Sequence, residues 1–310
     1  MQQPLTGKPQ PAAVVARQLL SRLLPRDAFG RQAAIIGAGT AIVQALGVLA
    51  APALTRLYEP ADFGVMAAFG SVAEVLVLIA TLKYDLAIPI TADDRDAARL
   101  LSLSTVCVVG FSVLLSVVVM IVPRNVFAVL SSDERLYAFR WFLVLAILGG
   151  GLYAGLAAWA TRRQHFVLLS SSRAYQSVGS VTVQLGAGVM GAGLLGLILG
   201  AVSNMTSGIW MLWRRTARDL AGIRPGMQSL RLPELAHVYC KYPLFTMPTA
   251  LLNQVGRSAP TVLISSLFGA SVTGFYSLGL RVVGLPSAMV SAAMGSVFLS
   301  RVPEAIKTDT

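Results

Sequence analysis

The chain has 310 residues, of which 55% are hydrophobic and 13% are charged, and its formal net charge is +11. Soluble globular proteins contain about 25% charged residues, and disordered chains are rich in charge and poor in apolar residues. This composition excludes both classes. The mean hydropathy of +0.69 indicates that lipid solvates much of the protein.

The two cysteines, Cys107 and Cys240, predict neither a disulfide scaffold nor a zinc cluster.

Eight apolar runs set the predicted architecture. A bilayer core about 30 Å thick requires about 20 apolar residues in each helix. The sequence therefore predicts an all-α integral membrane protein with about eight transmembrane helices, and an even number places both chain ends on one side. The predicted spans are residues 33–55, 63–82, 100–122, 141–161, 174–191, 194–213, 243–269 and 275–300.

The distribution of lysine and arginine predicts the orientation. With the N-terminus in the cytoplasm, 19 of the 25 basic residues lie in inner segments and four lie in outer loops, at Arg56, Arg124, Arg135 and Arg140. Cytoplasmic loops carry the excess of positive charge in multi-pass proteins. The basic charge thus faces anionic membrane lipids, and nucleic acid is not an expected partner.

Two stretches of the sequence, 210 residues apart, match in helix position and in loop motif. Leu57-Tyr58 is followed after five residues by Gly64, and Leu267-Phe268 is followed after five residues by Gly274. Six helices separate the copies, so the two repeats have the same orientation in the membrane. We expect a complete N-lobe of six helices (33–213), a basic cytoplasmic linker (214–242) and the first two helices of an incomplete second lobe (243–310). The cytoplasmic segment 1–32 is either an amphipathic helix on the inner leaflet or a frayed tail.

Polar residues inside the predicted spans are the candidate functional groups. Ionisable side chains are costly in the bilayer and usually face a protein interior or a water-filled cavity. Glu74 lies in the second span, Arg257 and Asn253 in the seventh, and Arg281 in the eighth. We expect them to line a shared cavity in which the two arginines attract a polyanion such as a pyrophosphate. The alternative is that the arginines snorkel or pair structurally with Glu74.

Several motifs resemble one family of membrane proteins. The stretch from Leu54 to Gly64, LTRLYEPADFG, is similar to the turn that opens the second helix of Wzx-type polysaccharide flippases. LKYDLAI, from Leu82 to Ile88, resembles their next segment, with Asp85 where the family usually has glutamate. The stretch GLRVVGLP, ending at Pro286, fits the later repeat. The motif residues to which the resemblance assigns a structural role are Tyr58, Pro60, Phe63, Gly64, Lys83, Tyr84, Asp85 and Pro286.

The resemblance implies membership of the multidrug/oligosaccharidyl-lipid/polysaccharide exporter superfamily. It implies two lobes around a basic cavity, and transfer of undecaprenyl-pyrophosphate-linked oligosaccharide from the inner to the outer leaflet of the bacterial inner membrane. Such a transporter would serve O-antigen, capsule or exopolysaccharide export, with membrane lipids and polysaccharide polymerase and export proteins as partners. The second lobe is expected to be truncated, which puts the activity of the 310-residue chain alone in question.

Other functions remain open from the sequence. A drug or cation antiporter of the same superfamily would favour acidic cavity groups, of which only Glu74 fits. A membrane glycosyltransferase or polymerase would need catalytic carboxylates or large outer loops. An inactive truncated remnant is the third alternative. The sequence contains no Walker motif and no metal-ligand spacing, so we expect a transporter without cofactor or metal rather than an enzyme.

Overall fold

The computed structural model describes residues 45–47, 49–121, 135–223, 232–281 and 283–284. Within these residues the fold is helical and contains no strand. We number the longer helices α1 (Ala45–Leu57), α2 (Pro60–Thr81), α3 (Asp94–Ile121), α4 (Arg140–Arg162), α5 (Phe166–Val189), α6 (Leu194–Thr206), α7 (Ile209–Ala221), α8 (Leu232–Val238), α9 (Met247–Phe268) and α10 (270–281).

Four helical segments in the described part are long and apolar enough to cross a membrane. They are α2, α3, α4 and the segment Leu194–Ala221, in which a two-residue turn at 207–208 separates α6 from α7. They coincide with predicted spans two, three, four and six. The all-α class and a multi-pass membrane protein are therefore confirmed, whereas the count of eight spans stays a prediction. Segment 1–32 and Pro286 lie outside the described residues.

The turn after α2 explains how the chain reverses at the end of that helix. Pro60 opens α2 at its first turn, where its missing N–H costs nothing. Leu82 (φ 47°) and Lys83 (φ 59°) then both adopt the left-handed conformation, which is rare for residues other than glycine. A short 3₁₀ helix, Tyr84–Ala87, follows directly. The reversal turns the LKYDLAI segment back against the helices.

Close packing of α4 with its neighbours holds the centre of the bundle together. A Cβ placed on Gly151 would overlap the side chain of Val108 on α3, and one on Gly149 would overlap Thr206 on α6. Small residues let transmembrane helices approach closely, which strengthens their van der Waals packing. Trp159, fully buried near the end of α4, anchors the same helix against the 84–88 segment and α3.

Polar contacts join the helix ends at what we call the basic end, formed by residues 82–95, 162–165, 214–219 and 232–241. The guanidinium of Arg162 donates to Asp94 at 2.8 Å and to the main-chain carbonyl oxygens of Ile88 and Thr91. Asp219 accepts from the Trp159 indole at 3.4 Å and lies 3.5 Å from Arg215. The Arg162 contacts fix the 88–94 connection against α4, and the contact of Asp219 with Trp159 fixes α7 against α4.

The other end of the bundle, which we call the opposite end, is held by buried polar contacts of the LTRLYEPADFG motif. The Tyr58 hydroxyl donates to the carbonyl oxygen of Gln184 on α5 at 2.5 Å. Asp62 is 6% exposed and pairs with Arg135 at 2.7 Å. The motif therefore connects α2 with α5 and with the segment that precedes α4.

The same end contains a reciprocal backbone contact between α2 and α10. A Cβ on Gly64 would overlap the carbonyl oxygen of Ala270, and a Cβ on Gly274 would overlap the carbonyl oxygen of Pro60. The four residues form two pairs related by the 210-residue offset, Pro60 with Ala270 and Gly64 with Gly274. A two-fold relation between the repeats requires this type of reciprocal contact.

Candidate functional site

A polar cavity of about 330 Å³ lies inside the bundle, toward the basic end. Its walls come from α2, the turn after α2, α4, α5, α6 and α9. The side chains that could contact a polar ligand are Glu74, Thr81, Lys83, Asp85, Tyr153, Gln176, Asn204 and Gln254. A larger cavity of about 530 Å³, between α2, α3, α4 and α9, has walls that are almost entirely apolar. Polar chemistry in these two cavities is therefore concentrated in the smaller one.

Glu74, one of the predicted site residues, belongs to the polar cavity and links two helices. Gln254 on α9 donates from Nε2 to Oε2 of Glu74 at 2.8 Å, and the same amide nitrogen lies 3.2 Å from Oγ of Ser258. Ser258 is buried on the face of α9 that packs against α2. The bond therefore connects the second helix of the predicted N-lobe with the first helix of the predicted second lobe.

Asp85 also lines the polar cavity and is the most deeply buried carboxylate there, at 9% exposed. Its Oδ1 atom has no hydrogen-bond partner. Burial raises the pKa of the Asp85 carboxyl above its ordinary value, while the positive charge of Lys83 acts in the lowering direction. The left-handed turn at Leu82 and Lys83 places this carboxylate against the helices rather than in solvent.

Arg281 lies at the interface of α10 and α2. Its guanidinium carbon is 5.9 Å from the centre of the Phe63 ring, which is an attractive cation–π geometry. It also approaches the sulfur of Met66 at 4.0 Å. Among the residues that the structure describes, no carboxylate lies within ion-pair distance of Arg281. The side chains of Phe63 and Met66 are themselves uncharged, so they do not neutralise the positive charge of Arg281.

The remaining predicted site residues lie elsewhere. Arg257 and Asn253 are exposed on α9, and neither lines the polar cavity. The structure thus brings Glu74 and Gln254 together but does not bring Arg257, Arg281 and Glu74 into this one cavity. Their role in binding stays a prediction.

The family-motif residues have structural positions that the sequence alone did not reveal. Phe63 is 1% exposed and meets the Tyr58 ring edge-to-face at 6.2 Å. Tyr84 is buried, and its hydroxyl donates to the carbonyl oxygen of Ala236 on α8 at 3.4 Å. Burial raises the pKa of the Tyr84 phenol. These residues position the two ends of α2, which carries Glu74.

Sequence reasoning missed the polar partners of Glu74 in the cavity. Gln254 is 180 residues away in the chain, and uncharged amides in a span give little signal in a hydropathy profile. Asp85 was assigned only a motif role, from the resemblance. Among the described residues, no three His, Cys, Asp or Glu side chains are grouped so that they could hold a metal ion.

Comparison with known proteins identifies the family to which the chain belongs. No curated protein and no solved structure gives a significant match to the chain. The family model described as "Polysaccharide biosynthesis protein" matches residues 53–308, most of the chain. The match covers both the LTRLYEPADFG turn and Arg281. With its apolar helices and polar cavity, this multi-pass membrane protein belongs to the polysaccharide biosynthesis protein family.

Proposed function

We propose that the protein is a Wzx-type flippase that moves undecaprenyl-pyrophosphate-linked oligosaccharide from the inner to the outer leaflet. We place it in the bacterial inner membrane with a cytoplasmic N-terminus, beside a polysaccharide polymerase and export proteins. The observation that carries the proposal is the position of Arg281. A guanidinium between α2 and α10, without a carboxylate partner among the described residues, supplies a positive charge at the interface of the two predicted lobes.

The chemistry of the substrate explains why such a charge is needed. A pyrophosphate cannot enter bare hydrocarbon, because burying an unpaired anion costs many kcal/mol. A guanidinium can donate two parallel hydrogen bonds to phosphate oxygens and so compensates both charge and hydrogen bonding. Arg281 needs the same compensation from an anion. The headgroup and Arg281 therefore stabilise each other inside the membrane, while the polyprenyl chain stays in lipid.

The two ends of the bundle fit alternating access. The charge distribution predicts that the basic end faces the cytoplasm. The polar cavity then lies toward the inner leaflet, and the backbone contact of Gly64 and Gly274 with their partner helices lies at the outer face. A substrate headgroup enters from the cytoplasmic side in this arrangement. Separation of α2 from α10 at the outer face would release it there.

Flipping in reconstituted vesicles tests the proposal. The full chain and its Arg281→Gln and Arg281→Lys variants are reconstituted with a fluorescent undecaprenyl-pyrophosphate-linked oligosaccharide, and a membrane-impermeant quencher reports transfer between leaflets. Hydrogen bonds to charged groups contribute about 1.5–3 kcal/mol, so we expect Arg281→Gln to slow flipping by about 10- to 150-fold. Arg281→Lys should be intermediate, because it keeps the charge and loses the planar fork.

Matched variants separate this effect from a loss of folding. Arg56→Gln removes an exposed arginine at the opposite end and should leave the rate unchanged. Arg257→Gln tests the second predicted substrate contact and is expected to slow flipping as well. Size-exclusion chromatography in detergent verifies that each variant is folded. Unchanged flipping by a folded Arg281→Gln variant, or no flipping by the unmodified chain, would overturn the proposal.

A further inference from the structure

One side of α7 carries exposed tryptophans and arginines in a definite order. Residues three and four apart share a face of a helix, so Trp210, Trp213, Arg214 and Arg218 form one surface, which we call the α7 face. All four side chains are exposed, the two indoles by 67% and 51%. The tryptophans come first along the helix and the arginines follow. The α7 face therefore changes from aromatic to basic along the helix axis.

The opposite side of α7 is fixed against α4, which determines where the α7 face points. Leu212 is fully buried and packs in one cluster with Leu156 and Ala160 of α4. Asp219, on the same buried side, accepts from the indole of Trp159 at 3.4 Å. These contacts orient α7 so that its tryptophans and arginines point away from the bundle.

The two arginines of the α7 face differ from Arg215 because no acidic group compensates them. The Nε atom of Arg215 lies 3.5 Å from Oδ1 of Asp219. In the described part of the chain, no carboxylate lies within ion-pair distance of Arg214 or Arg218. The guanidinium carbon of Arg214 instead lies 5.5 Å from the centre of the Trp210 ring, a cation–π contact. That contact leaves the charge intact, so the α7 face carries two positive charges without an anion.

The position of α7 in the chain matches the edge of a bilayer. This helix closes the segment Leu194–Ala221, which is apolar and long enough to cross a membrane. Tryptophan is enriched at the membrane–water interface, and basic residues next to it attract the anionic headgroups of lipids. The order on the α7 face, with indoles first and guanidiniums after them, is thus the order of hydrocarbon and headgroup.

The spacing of the two arginines suits a single phosphate group. Residues four apart on a helix have Cβ atoms about 5–6 Å apart, and guanidiniums form strong hydrogen bonds to phosphate oxygens. Arg214 and Arg218 can therefore both donate to one phosphodiester. A free phosphate ion would use the arginines alone. A phospholipid uses the whole face, because its acyl chains also pack against Trp210 and Trp213.

We propose that the α7 face binds one anionic phospholipid, with its phosphate on Arg214 and Arg218 and its acyl chains along Trp210 and Trp213. A zwitterionic phospholipid binds less tightly, since its headgroup brings no net negative charge to the two guanidiniums. This surface is separate from the polar cavity and from Arg281. The inference does not rest on the flippase proposal.

Quenching of tryptophan fluorescence by brominated lipids tests the proposal. The chain contains four tryptophans. Trp159 is fully buried, and Trp141 is 46% exposed, so the Trp141→Phe change leaves Trp210 and Trp213 as the reporters that lipid can reach. The full chain with this change is placed in phosphatidylcholine nanodiscs. These contain increasing fractions of brominated phosphatidylglycerol or, in a parallel series, of brominated phosphatidylcholine.

Brominated phosphatidylglycerol is expected to quench at the lower mole fraction, because it collects at the α7 face. Each basic residue near an anionic lipid strengthens the attraction about fivefold. The two arginines together should therefore lower the mole fraction for half-maximal quenching about 25-fold relative to brominated phosphatidylcholine. Arg214→Gln/Arg218→Gln should make the two lipids quench alike. Arg218→Gln alone should lose about fivefold, and it provides a second test if the double variant does not fold.

A matched control and a competitor complete the experiment. Arg56→Gln/Arg95→Gln removes two exposed arginines outside the α7 face and should keep the preference for phosphatidylglycerol. One equivalent of undecaprenyl pyrophosphate should not displace the brominated phosphatidylglycerol. The proposal is overturned if the Trp141→Phe chain shows no preference, or if the preference persists in a folded Arg214→Gln/Arg218→Gln variant. Displacement by one equivalent of undecaprenyl pyrophosphate would also overturn it, because the face would then belong to that lipid.

Discussion

The reciprocal contact at Gly64 and Gly274 predicts that adding a methyl group to either glycine destabilises the protein. In Gly64→Ala the new methyl group would overlap the carbonyl oxygen of Ala270, which belongs to the backbone of α10. A backbone atom cannot rotate away as a side chain can, so α2 and α10 must separate locally. Forcing extra atoms into a packed interface typically costs about 1–3 kcal/mol.

A second glycine on the same helix provides the control. Nothing lies within 4 Å of a Cβ placed on Gly70, and glycine within a helix is less stable than alanine by about 0.5–1 kcal/mol. Gly70→Ala should therefore stabilise α2. Both variants gain the same helix preference, so the difference between them isolates the clash, about 1–3 kcal/mol.

Thermal unfolding in detergent, followed by intrinsic fluorescence, measures this difference. We expect Gly64→Ala to melt at a lower temperature than the unmodified chain, and Gly70→Ala at the same or a higher temperature. Gly274→Ala should resemble Gly64→Ala. The double variant should cost less than the sum, because the first methyl group already separates the helices. Equal melting of Gly64→Ala and Gly70→Ala would refute the contact.

Two further variants test the polar contacts at the two ends of the bundle. Arg162→Lys should lower the free energy of unfolding by about 1.5–3 kcal/mol, because lysine cannot bond Asp94 and the backbone carbonyls together. Arg163→Lys should cost less, since Arg163 is 30% exposed and Arg162 only 10%, and equal melting temperatures would contradict this. Tyr58→Phe should cost about 0.5–1.5 kcal/mol through the lost bond to Gln184. Tyr175→Phe, at an exposed tyrosine, should leave the melting temperature unchanged. An unchanged melting temperature for Tyr58→Phe would show that the bond to Gln184 does not stabilise the protein.

The sequence predicted the helices whose signal is long and apolar. Spans two and four match α2 and α4 to within three residues at each end. The third helix begins at Asp94, six residues before its predicted span, because its first turns are charged and extend beyond the apolar run. Hydropathy detects the lipid-facing length of a helix, not its capping turns. It also missed the break at Ser207–Gly208 between α6 and α7.

The candidate site was less predictable because it depends on tertiary contacts. Glu74 was identified as an in-span charge, but its bond to Gln254 joins residues 180 positions apart. The burial of Asp85 results from two consecutive left-handed residues, neither of them glycine. No local sequence pattern predicts such a turn. Arg257 and Arg281 were predicted to share a cavity, and the structure gives them different surroundings, exposed on α9 and packed on Phe63.

Binding of the lipid carrier to the purified chain tests the role of Arg281 most directly. Native mass spectrometry compares undecaprenyl pyrophosphate with undecaprenol, which has the same hydrocarbon chain and no charge. We expect the unmodified chain to retain the pyrophosphate form selectively, and Arg281→Gln to bind the two lipids alike. Equal binding of both lipids by the unmodified chain, or full selectivity in Arg281→Gln, would contradict a guanidinium that holds the anionic headgroup.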